Sequence, residues 1–169
     1  MELLCFMTGK MYENIITVHC LFFQVVIGGG TTGVEMLSLD TLTWTTLDPL
    51  PVSSLQDYSC ELILESGEET IYVTGGYSDD EGFQSKVWKM SRGTWSLAGE
   101  LNEARAYHSM GILDGQLVVA GGWGSDRKLA TVERRDEEGN WKTLPRSLSV
   151  VRANHATAAV PAEAFPCIK

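Results

Sequence analysis

The sequence has few of the features that build zinc sites, disulfide scaffolds or membrane spans. Its four cysteines lie far apart and none belongs to a C-x-x-C pair, so neither a zinc site nor a redox pair is predicted. We expect reduced, buried thiols, which favour the cytoplasm and leave secretion open. The longest apolar stretch, residues 15–27, includes His19 and Gln24 and is too short to cross a bilayer. We predict two buried strands there and no membrane partner.

Positive charge is also scarce, and its scarcity bears on the partners that the chain can bind. The sequence has 13 Lys and Arg against 22 Asp and Glu, a net charge of -9. Binding to a phosphate backbone needs several cationic contacts on one face, so we expect no nucleic-acid partner. Residues 57–103 hold ten acids and three bases. We interpret this excess as a solvated surface, with a patch for a basic partner as the alternative.

What the sequence does contain is an internal repeat of 46 to 47 residues. Its first marker is a glycine pair that closes an apolar run, found as Gly28-Gly29, Gly75-Gly76 and Gly121-Gly122. Its second marker is a tryptophan after each pair, found as Trp44, Trp95 and Trp141. Its third marker is Arg-x-x-His, present at residues 105–108 and 152–155. Periods of about 40 to 50 residues are typical of propeller blades and other repeat architectures.

Within one repeat the local pattern predicts four short antiparallel strands. We place them at 108–113, 116–120, 130–135 and 141–144 in the third repeat, and at 58–64, 71–74, 86–90 and 95–97 in the second. Asp114-Gly115 favours a two-residue type I′ hairpin turn, in which both residues need positive φ. Each glycine pair allows close backbone approach or a sharp exit after the second strand.

This arrangement resembles the kelch repeat, whose blades carry a double glycine after the second strand, a Trp in the fourth strand and often Arg-x-x-His before the first. The resemblance spans residues 25–160. It implies an all-β fold, a kelch-type β-propeller segment of about three four-stranded antiparallel blades plus one extra C-terminal strand. There are two departures, because Gln56-Asp57-Tyr58-Ser59 takes the place of Arg-x-x-His in the second repeat and Trp44 comes early.

We therefore divide the chain into five segments. Residues 1–24 form an atypical N-terminal segment that we do not expect to be native to the propeller, since residues 20–23 contain no turn former. Three kelch repeats follow at 25–57, which is partial, at 58–104 and at 105–151, and residues 152–169 supply a lone first strand and a tail. Three blades leave sheet edges and apolar faces uncovered, so we expect self-association.

Antiparallel order places the loops after second strands and the segments between blades on one rim. The resemblance implies that this rim binds a protein partner, in some relatives as the substrate receptor of a larger protein. The predicted partner-binding residues lie on these loops and segments, at Tyr77, Asp79, Asp80, Phe83, Arg105, Trp123, Arg127 and Arg152. For Arg105 and Arg152 we favour a structural role that ties neighbouring blades together, with ligand contact as the alternative.

Two alternatives to a binding module stay open. One is a small-molecule enzyme of kelch architecture, of the sialic acid epimerase or copper radical oxidase type, and the other is a nonfunctional product of a truncated gene. His108 and His155 occupy equivalent repeat positions, which favours a recurring structural hydrogen bond over a metal site. Residues 79–81 lack the ligand spacing of a calcium loop. We predict no catalytic residue, metal or cofactor, and expect no enzyme.

Overall fold

A computed structural model describes residues 23–28 and 31–158 in full and residues 15–19 by their backbone. Within these ranges the regular structure consists of β-strands, with no helix. The strands pair into three four-stranded antiparallel sheets, which follow one another along the chain, and one small hairpin. The predicted all-β fold of about three four-stranded blades is confirmed.

The first sheet is a meander in which every strand pairs with the next one along the chain. Its strands are β1 (Ile15–His19), β2 (Phe23–Gly28), β3 (Val34–Ser38) and β4 (Thr43–Leu47). The two strands predicted within residues 15–27 are therefore present. Because β1 lies in the place of a first strand, the sheet begins before the repeat boundary predicted at residue 25. The foreign origin of residues 1–24 stays a prediction.

The second sheet has the same order, with a hairpin inserted after its second strand. Its strands are β5 (Ser59–Glu65), β6 (Glu68–Thr74), β9 (Lys86–Ser91) and β10 (Thr94–Glu100). The hairpin consists of β7 (Tyr77–Ser78) and β8 (Gly82–Phe83). The four sheet strands match those predicted for the second repeat to within a few residues at each end.

The third sheet contains the hairpin turn that the sequence predicts. Its strands are β11 (Ser109–Leu113), β12 (Gln116–Ala120), β13 (Val132–Arg135) and β14 (Trp141–Thr143). Asp114 and Gly115 join β11 to β12 with φ values of 50° and 73°, the positive angles that a type I′ turn requires. The turn therefore fixes the register of the first two strands, as predicted.

The glycine pairs are required by close contacts on both sides of the chain. Gly121 and Gly122 have φ values of 62° and 103°, a region that favours glycine. A Cβ on Gly121 would lie 2.6 Å from the carbonyl oxygen of Arg152, and one on Gly122 would lie 2.7 Å from that of Ala106. Gly121 thus allows close approach of the segment that follows the sheet, and Gly122 allows close approach of the segment that precedes it. Gly29 lies outside the described residues.

Apolar side chains fill the space between successive sheets in two clusters, which we call the first seam and the second seam. The first seam, between the first and second sheets, comprises Val25, Ile27, Val34, Leu50, Tyr58, Cys60, Leu62, Ile71, Val73 and Met90. The second seam, between the second and third sheets, comprises Tyr72, Val87, Leu101, Met110, Leu117, Val119 and Trp141. Strand β6 contributes to both, because successive side chains of a strand point to opposite faces.

The three repeat tryptophans occupy one position of the sheet ladder. Trp44 pairs with Leu37, Trp95 with Met90 and Trp141 with Arg135, in each case the fourth residue of the third strand counted from Val34, Val87 or Val132. The early arrival of Trp44 in the sequence is therefore a shorter loop and not a shift of register. Trp141 is 6% exposed in the second seam, whereas Trp44 is 53% exposed.

The segment after the third sheet lies beside that sheet but forms no ladder over residues 151–158. Thr157 Oγ1 donates a hydrogen bond to the carbonyl of Met110 at 3.0 Å, so the segment runs along β11. A lone strand at residues 152–160 was predicted, and this is corrected for the described part. A first strand of a blade pairs with a second strand of its own, and no such strand is present among the described residues.

Candidate protein-binding rim

Paired backbone hydrogen bonds fix the loops of one rim to the segments between sheets. Gln56 and Tyr77 exchange two such bonds, with N–O distances of 2.9 and 2.7 Å, and Ala106 and Trp123 exchange two with the same distances. The loop after each second strand is thereby joined to the segment that leads into the same sheet. The predicted grouping of these loops and segments on one rim is what the structure shows.

The loop of the second sheet presents two aromatic and two acidic residues of the predicted set. The rings of Tyr77 and Phe83 pack edge to face, with centroids 5.2 Å apart. The carboxylates of Asp79 and Asp80 are exposed. Ser53 donates its hydroxyl to Asp80 at 2.7 Å, and this bond holds the acidic loop against the segment before β5.

The loop of the third sheet carries the opposite charge. Arg127 is 69% exposed at its side chain, with its guanidinium 3.4 Å from a carboxylate oxygen of Glu103. The ammonium of Lys128 lies 5.4 Å from the ring centroid of Trp123, a distance at which a cation is attracted to the ring face. The rim therefore has an acidic part on the second sheet and a basic part on the third.

Arg105 does not belong to the accessible rim, and its assignment as a partner contact is corrected. Its side chain is 0% exposed. One terminal nitrogen donates to the carbonyl of Gly121 at 2.7 Å, and the other donates to Glu133 Oε1 at 2.6 Å. Two further bonds reach the carbonyl and hydroxyl oxygens of Thr131. Every terminal nitrogen is thus bound inside the protein, so the role of the side chain is structural, with these contacts within the third sheet and not between neighbouring sheets.

The carboxylate that holds Arg105 also receives donors from the segment before β11. Asn102 donates its backbone N–H to Glu133 Oε2 at 2.6 Å and its side-chain amide to the same oxygen at 2.9 Å. Glu103 donates its backbone N–H to Glu133 Oε1 at 3.1 Å. A buried ion pair is tolerated when its remaining hydrogen-bonding capacity is met in this way. The Arg105–Glu133 pair therefore fastens the segment before β11 to strand β13.

Arg152 has the same place in its repeat as Arg105 but a different environment. Its side chain is exposed, and its Nε donates to the carbonyl of Val150 at 3.4 Å. Its own carbonyl accepts the N–H of Gly122 at 2.8 Å, so the backbone is fixed while the guanidinium is accessible. A partner contact at Arg152 stays a prediction, as it does for the other exposed members of the set.

The two repeat histidines form the recurring hydrogen bond predicted for them. His108 Nε2 lies 2.8 Å from the hydroxyl of Thr74, and His155 Nε2 lies 2.9 Å from the hydroxyl of Ser109. Burial, together with the charges of Arg105 and His155, lowers the pKa of His108 to about 3. Burial likewise lowers the pKa of His155. Both imidazoles are therefore neutral, and each one joins its segment to the preceding sheet through a hydrogen bond.

The counterpart of Arg-x-x-His in the second repeat lies one residue earlier than the sequence predicts. Gln56 exchanges hydrogen bonds with Tyr77 as Ala106 does with Trp123, so the two are equivalent. Leu55 then corresponds to Arg105 and Tyr58 to His108. Asp57 and Tyr107 share the left-handed conformation, with φ values of 56° and 55°, in agreement with this alignment.

A cavity of about 290 Å³, which we call the rim cavity, lies beside Leu55, where the second repeat lacks the arginine that the third repeat has. Its walls include Gly75, Lys86 and Trp88, which correspond to Gly121, Thr131 and Glu133 by strand register and backbone hydrogen bonds. The remaining lining residues are Pro51, Val52, Ser53, Ser54, Leu55, Ser78, Glu81, Gln84 and Leu97. Sequence analysis missed this site, because the replacement of Arg105 by Leu55 becomes visible only in the corrected alignment.

No group of three or more His, Cys, Asp and Glu side chains placed to hold a metal ion occurs in the part of the chain that the structure describes. Over the same residues, no helix is long and apolar enough to span a membrane. Cys60 is buried in the first seam, whereas Cys5, Cys20 and Cys167 lie outside the described residues.

Comparison with known proteins identifies the repeat. The family model of the Kelch motif matches residues 104–146. Human Kelch-like protein 35 is 28% identical over 164 residues, and mouse Kelch-like protein 35 is 31% identical over 140 residues. These matches cover 86% and 74% of this chain but 27% and 23% of the relatives, so the chain spans about a quarter of their length.

A solved structure shares the fold. The structure of YjhT superposes with a TM-score of 0.70 and 15% sequence identity, over 87% of this chain and 55% of that one. At this identity the likeness concerns the arrangement of sheets alone. It supports the succession of four-stranded blades seen here.

Proposed function

The chain is a kelch-repeat β-propeller protein, and from that premise we propose that it is a protein-interaction module that binds a partner through its rim. The observation that carries this proposal is the contrast between backbone and side chains on the rim. Paired hydrogen bonds fix the loop backbones, whereas Asp79, Asp80, Trp123 and Arg127 are exposed. Side chains presented by fixed loops bind without a large ordering cost.

The proposed partner is a protein with patches of both charges. The acidic loop of the second sheet and the basic loop of the third offer complementary contacts to such a surface, and exposed tryptophan and arginine are enriched among residues that dominate binding energy. We place this interaction in the cytoplasm. We also propose that the rim is the substrate-receptor part of a longer kelch protein, since the aligned residues cover only about a quarter of the matched relatives.

Capture of partners by matched variants tests the rim. Full-length chain, an Asp79→Asn/Asp80→Asn variant and a Glu137→Gln/Glu138→Gln variant are used as baits. Each variant removes two negative charges, but residues 137 and 138 lie in the turn between β13 and β14, on the opposite rim. We expect a protein that binds the parent to be lost from the first variant and retained by the second.

Two kinds of result would contradict this proposal, one from the capture experiment and one from tests of the enzyme alternative. A protein captured equally by both variants would mean that the loop rim is not the binding surface. Copper content and sugar turnover of the purified chain are the corresponding measurements for the copper radical oxidase and sialic acid epimerase types. Stoichiometric copper or catalytic turnover would replace the binding proposal with the enzyme one.

A further inference from the structure

The rim cavity of the second sheet occupies the position that a guanidinium group fills in the third sheet. There, the carbonyl of Gly121 and the carbonyl and hydroxyl oxygens of Thr131 accept hydrogen bonds from buried Arg105. The equivalent residues Gly75 and Lys86 line the rim cavity. Because Leu55 carries no donor, the space shaped for an arginine head group is left open at this repeat.

The backbone that would hold such a group is preserved. Gly75 N donates to the carbonyl of Lys86 at 3.1 Å, as Gly121 N donates to that of Thr131 at 3.0 Å. The carbonyl of Gly121 is bound by Arg105, whereas no donor from the described residues reaches the carbonyl of Gly75. An acceptor with its geometry fixed by the repeat therefore faces the position of the missing arginine.

The side chains around the rim cavity suit a planar cation. Ser54 and Ser78 share a hydrogen bond of 3.2 Å and accept the backbone N–H groups of Asp79 and Asp80, which leaves one acceptor position between the two hydroxyls. Trp88 replaces Glu133 in the wall, and an indole face attracts a guanidinium group more strongly than other aromatic rings do. Lys86, the cation of the lining, is paired with Glu81 at 2.8 Å, so its charge is already compensated.

The size and surroundings of the cavity favour one side chain of a larger partner. Pockets for whole small-molecule ligands usually measure about 300–1,000 Å³, and the rim cavity of about 290 Å³ is at the lower limit. The exposed carboxylates of Asp79 and Asp80 lie on the adjoining loop. Carboxylates at the mouth of a site raise the association rate of a basic segment.

Resting on the binding function proposed above, we propose that the rim cavity receives an arginine side chain from a basic segment of the protein partner. The arginine takes in trans the place that Arg105 has within the third sheet, with the carbonyl of Gly75 in the role of the carbonyl of Gly121. The carbonyl of Gly75 and one hydroxyl of the Ser54–Ser78 pair accept its hydrogen bonds, and the ring of Trp88 packs on its face.

Ligand-observed saturation-transfer NMR on the full-length chain tests this with N-acetylarginine methylamide as the probe. The citrulline analogue is the matched ligand, since it has the same shape and no charge. Hydrogen bonds to charged groups are stronger than neutral ones, so we expect the citrulline analogue to bind about tenfold more weakly. Equal signals from the two ligands would overturn the proposal.

Two variants fill the cavity by different means. Leu55→Arg places an intramolecular guanidinium at the position equivalent to Arg105, and Ser54→Leu fills the space with apolar atoms. Ser96→Leu makes the same change as the latter at an exposed site of β10 outside the cavity lining. We expect loss of the arginine signal in every cavity variant that shows a parental melting transition, and retention in Ser96→Leu. Unchanged binding in a folded cavity variant would overturn the proposal.

The result is distinguishable from failure of the rim itself. A partner captured through Asp79 and Asp80 together with absence of arginine binding would overturn the cavity proposal and leave the rim function standing. Arginine binding that Leu55→Arg or Ser54→Leu abolishes, without any captured partner, would support the cavity and remove the support for the wider rim.

Discussion

The two seams between sheets differ at one position, where the segment that leads into a sheet meets the third strand of that sheet. In the second seam Arg105 and Glu133 form a buried ion pair of 2.6 Å. In the first seam the equivalent residues are Leu55 and Trp88, which pack against the apolar core. The backbone hydrogen bonds around the two sites are the same. The same scaffold position therefore carries either an ionic pair, which fills it, or an apolar pair, which leaves the rim cavity beside it.

The comparison shows that the two residues change together. A charge that is sealed from water without its partner is strongly destabilising, so an arginine buried as fully as Arg105 requires a carboxylate at the second position. Two counterparts of these residues are exposed in the described part of the chain. Glu35 is the counterpart of Glu133 in the first sheet, and Arg152 is the counterpart of Arg105 after the third sheet. Among the described residues at this scaffold position, these two residue types are buried where they pair with each other.

The largest effect is expected from breaking the ionic pair. Glu133→Gln removes the nearer of two carboxylates from the buried guanidinium of Arg105 and leaves only Glu103, at 3.8 Å; loss of one partner of a buried pair costs about 3–5 kcal/mol. The matched control is Glu35→Gln, which makes the same change at the exposed counterpart and is expected to lie within about 0.5 kcal/mol of the parent. Urea denaturation midpoints measure both. Equal losses in the two variants would contradict the role assigned to the pair.

Replacement of the ionic pair by the apolar pair tests whether the loss of stability in Glu133→Gln comes from the unpaired charge. In the double variant Arg105→Leu/Glu133→Trp the second seam carries the residues of the first. Because no unpaired charge remains, we expect the double variant to be more stable than Glu133→Gln, despite two changes at buried sites. A double variant less stable than Glu133→Gln would show that the surrounding backbone accepts only the ionic pair.

Sequence reasoning was sufficient for the sheets but not for the pairs within them. Strand positions follow from local signals, such as the turn at Asp114-Gly115 and the glycine pair that ends each second strand. The pairing of Arg105 with Glu133 joins residues 28 positions apart, and it depends on the register of β13, which no local signal specifies. The same holds for Leu55 and Trp88. The rim cavity could therefore be recognised only after the ladders were known.

The next effect is the pH dependence that His108 gives to the second seam. The pKa of His108 is lowered to about 3, first by burial and then by the charges of Arg105 and His155, whereas the unfolded residue has a pKa of about 6.5. Between these values the unfolded chain binds a proton that the folded chain does not. The stability that His108 contributes is therefore complete above pH 6.5 and decreases as the pH falls, by about 2 kcal/mol at pH 5.

The first seam supplies the control for this pH dependence. Tyr58 holds the position of His108 there, and burial raises its pKa, so it stays neutral throughout the acidic range. His108→Tyr is expected to remove a slope of about 1.4 kcal/mol per pH unit between pH 6.5 and 4. Unfolding free energies of parent and variant at several pH values are compared. Parallel curves would mean that His108 binds its proton in the folded chain.

The smallest effect on stability concerns Trp44, which holds the ladder position of Trp95 and Trp141 without a seam to fill. Trp95 donates its indole N–H to the carbonyl of Asp48 at 2.9 Å and packs on the first seam, whereas Trp44 is 53% exposed. Trp44→Glu is therefore expected to change stability by less than about 0.5 kcal/mol.

The main effect of Trp44→Glu is expected on self-association, since an exposed apolar face is a site of self-contact. By light scattering we expect the parent to exceed its monomer mass of 18.6 kDa and Trp44→Glu to move toward it. Trp123→Glu, which removes an exposed tryptophan from the rim instead, is expected to leave the parental mass unchanged; a monomeric parent, or equal dissociation by both variants, would contradict the assignment of this face.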